Sequence, residues 1–247
     1  MNLLIDIGNS HLKWSFTGVE DMPREVHYQS VADLTAGFLD TVWQDAGPPE
    51  RVMIANVRGD TPAAVITNWC QSIWEIRPLF AQVTREFDGL LCGYDDISEL
   101  GVDRWLAMVA AWIRKRQACC VVDCGTAVTI DAIDNSGRHL GGLILPGVGM
   151  MRDMLCSCTH GIDAQGETGM DKLFATGTRD AVASGTILAV SCSINHARSE
   201  LQALAGEHPP GLLTGGGSAG ISPYLQGDYE YVETLVLEGL QHMALTL

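Results

Sequence analysis

The chain opens on "MNLLIDIGNSHLKWSF" (residues 1–16), and the same grammar returns in "CCVVDCGTAVTIDAI" (residues 119–133). In each, an apolar run ends in a carboxylate, Asp6 or Asp123. Glycine follows two residues later, a hydroxyl residue soon after, and then a second strand-like run. One Asp beside a tight turn is most often turn chemistry, because Asp accepts backbone N–H bonds and tolerates unusual dihedrals. Two copies with glycine at the same offset suggest another use. A turn of small residues exposes backbone N–H groups to phosphate oxygens, hydroxyls add donors, and the Asp holds a hydrated metal ion bridging those oxygens. Two such turns, facing each other from two halves, would clamp a triphosphate.

The pattern around these stretches supports an internal duplication. The first half reads β-β-β-α-β-α-β, with strands in "NLLID", "HLKWSFTG", "REVHYQS" and "RVMIANV". One helix spans "VADLTAGFLDTVWQDAG", and a second, "TPAAVITNWCQSIW", has Thr61 at its N-cap and Pro62 at its first position. "GVDRWLAMVAAWIRKRQ" predicts a helix that is apolar on more than one face, hence buried or at a subunit interface; a dimer contact is assigned to it. The opening pattern then restarts with strands "ACCVVD", "AVTIDAID" and "RHLGGLILPG", the last two joined by the hairpin signal Asn135-Ser136-Gly137. Helices follow from about Val148, from Thr178 to about Ala205 and near Glu233–Leu245, with "GLLTGGG" between the last two. The expected architecture is α/β: two mixed-sheet lobes, residues 1–116 and 117–247, with a central cleft.

Composition narrows the partners. Among 247 residues, Lys and Arg total 15 against 30 Asp and Glu, a formal net charge of -15. That balance argues against general nucleic-acid binding, which needs basic surfaces. An anion site in such a protein must use backbone N–H groups and scarce cations, and the lysines are Lys13, Lys115 and Lys172. No basic leader and no apolar run of spanning length is present, so a cytoplasmic protein without membrane contact is expected. The eight cysteines then read as reduced thiols, several packed as small hydrophobes. "CSCTH" (Cys156, Cys158, His160) has metal-ligand residue types but no second pair at ligand spacing.

Other nucleotide motifs are absent: there is no G-x-x-x-x-G-K-[ST] and no H-R-D loop. "GGGSAG" (residues 215–220) matches G-x-G-x-x-G, with too little chain after it for a full dinucleotide-binding unit. It reads equally as a close approach for a flat adenosine or as a turn capping the next helix.

Together, D-x-G-N-[ST] near the start, D-x-G-T at mid-chain and "LLTGGGS" resemble the phosphate and adenosine elements of the actin-like and sugar-kinase ATPase superfamily. "DIGNSHLKW", "GYDDISELGVDRWLA", "VVDCGTAVTID" and "GGLILPGVGMM" narrow the resemblance to type III pantothenate kinase, the first enzyme of coenzyme A synthesis. The resemblance implies a duplicated ribonuclease H-like fold, a homodimer, magnesium-ATP, and a monovalent cation, potassium or ammonium. It implies that Asp6, Ile7, Gly8, Asn9, Ser10, His11, Leu12 and Lys13 hold the ATP phosphates through their backbone. Asp6 would position magnesium, Thr126 would contact ATP, and Asp123 would bind the monovalent cation. Tyr94, Gly101, Val102, Asp103, Arg104 and Thr178 would form the pantothenate site, with Asp103 as catalytic base. Two positions depart from the family pattern: Gly177 stands before Thr178 where Asn is usual, and Ser10 replaces the commoner Thr.

The chemistry agrees with these assignments. Phosphoryl transfer is mainly positioning and charge stabilisation, and the acceptor alcohol needs a base within hydrogen-bond reach. Asp103 at a helix start beside Arg104 would stay ionised, and Arg104 would bind a substrate carboxylate bidentately. Three other functions fit parts of the pattern: a regulatory, transcription-activator-like member of the family, an actin-like or chaperone-type ATPase, and a kinase for another small alcohol. The acidic charge opposes the first, and the short chain leaves no room for the insertions of the second.

Overall fold

The computed structural model describes residues 1–162, 169–206 and 208–247. Contacts divide the chain into two units, Met1–Arg114 with Thr234–Leu247, and Lys115–Glu233. In chain order the first unit contains β1 (Asn2–Ile7), β2 (His11–Thr17), β3 (His27–Ser30), α1 (Ala36–Trp43), β4 (Arg51–Asn56), α2 (Asp60–Trp69), β5 (Leu79–Phe80), β6 (Glu86–Phe87), β7 (Leu90–Leu91) and α3 (Val102–Lys115, its last residue in the other unit). The second contains β8 (Cys119–Cys124), β9 (Ala127–Ile133), β10 (His139–Pro146), α4 (Val148–Cys158), α5 (Thr178–Ala205), β11 (Gly211–Thr214), α6 (Ser218–Ile221) and β12 (Tyr229–Tyr231). A last helix, α7 (Leu235–Ala244), returns to the first unit.

The two large sheets repeat one topology, β3-β2-β1-β4-β5 and β10-β9-β8-β11-β12. In both, the first strand in sequence pairs antiparallel with its hairpin partner and parallel with the strand on its other side. Every residue of β1 is buried. Because side chains alternate across a sheet, Leu3, Ile5 and Ile7 face one core, where Trp14, Trp43, Trp69 and Trp74 also gather. Trp43 stacks on Trp74 at 6.1 Å and meets Trp69 edge-on at 5.7 Å, separations at which aromatic pairs add about 0.5–1.5 kcal/mol each beyond area burial. In the second unit Cys120, Val122 and Cys124 of β8 pack with Ile187, Val190 and Ile194 of α5. Burial pushes the thiols of Cys119, Cys120 and Cys124 up to about 12, so they remain neutral and pack as apolar groups.

The structure differs from the sequence reading at several points. The helix expected over residues 31–47 is a 3-10 turn at Val31–Asp33 followed by α1, because Thr35 is extended and its hydroxyl accepts the Phe38 N–H at 3.1 Å. Gly59 rather than Thr61 caps α2, which leaves Pro62 in the first turn, where its missing N–H has no helical acceptor. The short strands β6, β7 and β12 were not anticipated, and α6 follows the "GGGSAG" turn, for which a helix cap was one of two readings. The apolar residues of α3 are covered within the single chain: Trp105 to Ala111 are at most 3% exposed.

Residues 234–247, assigned by sequence to the second half, pack with the first unit. There α7 lies on β1 and β4, with Gln241 accepting from Asn2 at 3.1 Å and donating to the Val19 carbonyl at 2.6 Å. Arg51 donates to the Ala244 carbonyl at 2.7 Å. Arg114 on α3 donates to both oxygens of the buried Glu238, at 2.7 and 2.9 Å. The contact is close enough that a Cβ on Gly239 would overlap the Leu106 carbonyl of α3. Gly239→Ala therefore destabilises the first unit by about 1–3 kcal/mol through overpacking, to be measured as a lowered denaturant midpoint.

Candidate active site

A carboxylate closes the first strand of each sheet. Asp6 is 4% exposed and sits opposite Lys13 across the hairpin, with Lys13 Nζ 3.9 Å from its Oδ2. The link between β1 and β2 is Gly8-Asn9-Ser10, closed by the Gly8 N–H donating to the His11 carbonyl at 3.0 Å. A Cβ on Gly8 would stand 3.1 Å from that oxygen, so glycine suits the turn. Of the predicted phosphate-binding stretch, Ile7 and Leu12 are fully buried and can contribute only backbone. Asp6, Ile7, Leu12 and Lys13 are paired between β1 and β2 and His11 pairs with Ser30 of β3, while Gly8, Asn9 and Ser10 lie outside strand pairing.

Asp123 occupies the matching place on β8, between Thr129 of β9 and Thr214 of β11. It is half-buried. Glycines back this turn. The Gly147 N–H donates to the Thr126 carbonyl at 2.9 Å, and the Gly217 N–H to the Cys124 carbonyl at 2.8 Å. Gly215 has φ +89, and a Cβ there would overlap Asp123 Oδ1. The Gly215–Gly217 turn thus lies against the Asp123 turn and leads into α6, where Ser218 Oγ donates to the Thr214 carbonyl at 2.6 Å. Thr126 is exposed beside the start of α4.

Tyr94, Asp103 and Arg104 assemble at the start of α3. Asp103 Oδ1 accepts the Arg104 N–H at 2.8 Å, and Arg104 Nη1 donates to the Tyr94 hydroxyl at 3.0 Å. The guanidinium carbon lies 5.6 Å from the centre of the Tyr94 ring, within cation–π range. Arg104 is only 6% exposed, while Asp103 and Tyr94 are half-buried. Gly101 leaves room for this group, since a Cβ there would come within 2.5 Å of Asp103 Oδ1. Val102 follows as the first residue of α3, and the Trp105 N–H donates to the Gly101 carbonyl at 3.1 Å. The cluster offers a carboxylate acceptor, a cation and a phenol on one helix start.

Thr178 is the exposed first residue of α5 in the second unit. It lines an apolar cavity of about 730 Å³ with Pro146, Met150, Met154, Ala181 and Val182. Cys158 Sγ lies 3.2 Å from Met154 Sδ, and among the described residues no three His, Cys, Asp or Glu side chains gather as metal ligands. No described helix is long and apolar enough to cross a membrane.

Sequence reasoning missed Arg85, which donates to the carbonyls of Tyr94 and Asp95 at 2.5 and 2.9 Å. Its setting is the β6–β7 hairpin, turned by Asp88 (φ 49) and Gly89 (φ 83). The dipeptide Asp-Gly between apolar residues is a hairpin signal that could have revealed this element.

Two sheets of one topology, each with a carboxylate near the end of its first strand beside a tight turn, define the class by fold as α/β. The architecture superimposes on a Listeria monocytogenes protein described as an N-acetylmannosamine kinase, with a TM-score of 0.54 at 13% identity over 99% of this chain and 98% of its own. A Baf-family transcriptional activator from Campylobacter jejuni superimposes with a TM-score of 0.58 at 22% identity, covering 97% of this chain and 95% of its own. The ethanolamine utilization protein EutJ from Carboxydothermus hydrogenoformans gives 0.52 at 14% identity, over 98% and 88%; at such identities the likeness concerns the fold alone. Sequence comparison is more specific. The family profile for type III pantothenate kinase matches residues 2–199. The type III pantothenate kinase of Nitrosococcus oceani is 34% identical over 99% of this chain and 94% of its own. That of Thiobacillus denitrificans is 38% identical over 98% and 96%. The chain belongs to the type III pantothenate kinase family.

The glycines behind Asp123 give a local test. Gly215→Ala should destabilise the second unit by about 1–3 kcal/mol, from both the positive φ and the overlap with Asp123. The neighbouring Gly216→Ala, whose Cβ would meet nothing within 4 Å, should stay within about 0.5 kcal/mol of the parent protein. Denaturant midpoints of the two variants measure the difference.

Proposed function

We propose that this chain transfers the γ-phosphoryl group of ATP to the terminal hydroxyl of pantothenate, giving 4'-phosphopantothenate at the first step of coenzyme A synthesis. The observation that carries this reading is the near full-length relation to pantothenate kinases in a chain that keeps Asp103, Arg104 and Tyr94 together. Asp103 accepts the hydroxyl proton as the alcohol oxygen bonds to the γ-phosphorus and the bridging oxygen leaves with ADP. Arg104 pairs with the substrate carboxylate. Thr178, at the start of α5 in the second unit, is assigned to pantothenate by the family resemblance alone. Holding the alcohol near its base is itself a large part of the rate enhancement.

The turn Gly8–Ser10 presents backbone N–H groups to the phosphates and Lys13 adds the nearby cation, while Thr126, in the second unit, is assigned to ATP by the family resemblance alone. Magnesium prefers oxygen ligands, one or two carboxylates completed by phosphate and water. Asp6, a buried carboxylate at a strand end, fits that donor set. Asp123, half-buried between two threonine-bearing strands, fits a monovalent cation, potassium or ammonium. Bound magnesium supplies neutralisation of the phosphate oxygens.

The same reading makes the protein a cytoplasmic homodimer. The supporting surface is in the second unit, where edge strand β10 exposes Leu143 (50%) and Ile144 (65%) and the chain before α5 exposes Phe174 (87%). Apolar residues on a sheet edge favour association. Ile144→Glu should convert a dimer to a monomer in light-scattering mass measurements; an unchanged mass places the contact elsewhere.

The activity test is a coupled ATP-consumption assay with pantothenate, acetate, glycerol and sugars. Turnover is expected with pantothenate alone. Turnover with another alcohol reassigns the substrate, and turnover with none favours a regulatory role. Asp103→Asn should abolish turnover while ATP binding persists, because the amide cannot take the proton; full activity would remove the base assignment.

A further inference from the structure

We propose that Arg85 is a positioning residue for the acceptor-substrate site, acting through Tyr94. The inference rests on the reading that Tyr94 and Arg104 bind pantothenate, and it adds a residue outside that set. Arg85 is exposed, yet its guanidinium spans two consecutive carbonyls, those of Tyr94 at 2.5 Å and Asp95 at 2.9 Å. A planar fork matches two neighbouring acceptors in a way that an ammonium does not.

Both ends of this strut are anchored. The Arg85 carbonyl accepts the Cys92 N–H at 2.9 Å, continuing the β6–β7 ladder. The hairpin tip is tied to the helix that carries Asp103, because Trp112 Nε1 donates to the Asp88 carbonyl at 3.1 Å. At the other end the Tyr94 hydroxyl accepts from Arg104 at 3.0 Å. The order of contacts is therefore α3, hairpin, Arg85, the Tyr94 backbone, the Tyr94 ring, and α3 again. Residues 92–101 include no strand or α-helix, so this closed circuit holds the Tyr94 ring against Arg104. Without the fork, the segment samples other backbone conformations, and substrate binding must supply the ordering.

The test compares Arg85→Ala and Arg85→Lys with the parent protein, measuring KM for pantothenate, KM for ATP and kcat separately. Arg85→Ala should raise the pantothenate KM about tenfold, because the two lost hydrogen bonds bear on the substrate only through the placement of Tyr94. The ATP KM and the melting midpoint should stay close to the parent values. Arg85→Lys should recover part of the loss, and added guanidinium should lower the pantothenate KM of Arg85→Ala but not of the parent. An unchanged pantothenate KM in Arg85→Ala overturns the proposal, as does an equal rise in both KM values. The parent assay keeps the two readings apart: no pantothenate turnover removes the functional reading, whereas parent turnover with an indifferent Arg85 removes this inference alone.

Discussion

Much of the structure depends on where each sheet reverses its direction of growth. The chain leaves β1 through a tight hairpin on one side and returns to its other side only after a helix, arriving parallel. The second unit does the same around β8, with the long helix α5 in the return path. Open α/β sheets bind ligands outside the carboxyl ends of their strands where the strand order reverses. Asp6 and Asp123 stand near the carboxyl ends of β1 and β8. Pairing on both sides holds their register, and a slip by one residue would turn each carboxylate to the opposite face of its sheet.

The acceptor side is organised differently. Asp103 and Arg104 are carried by the first turn of a helix that is buried nearly all round, and a helix so enclosed cannot rotate without disrupting its packing. Its rigidity is supplied by the end of the chain: α7 closes on α3 through Gly239 and through the Arg114–Glu238 pair. The pair is buried on the Glu238 side only, and losing Arg114 would leave that carboxylate uncompensated, so the far terminus bears on the packing of the helix that carries Asp103. A reaction that relies on placement more than on covalent chemistry needs this support.

Glycine serves the second unit in a comparable way. Gly147, Gly215 and Gly217 let other segments approach the Asp123 turn, and each approach leaves no space for a side chain. The "GGGS" turn, read from sequence as an adenosine approach or a helix cap, does lead into α6. Its additional role, backing a carboxylate, depends on β11 lying beside β8.

Read alone, the sequence determined the duplication, the two acidic turns and the bounds of α5, because strand alternation, helical periodicity and turn chemistry are encoded within a few neighbouring residues. The tertiary structure decided which unit α7 joins, what covers the apolar faces of α3, and which carbonyls Arg85 engages. Those outcomes depend on contacts between residues far apart in the chain, such as Leu106 with Gly239. Such contacts form only when burial summed over whole elements selects one packing, and no local pattern records that sum.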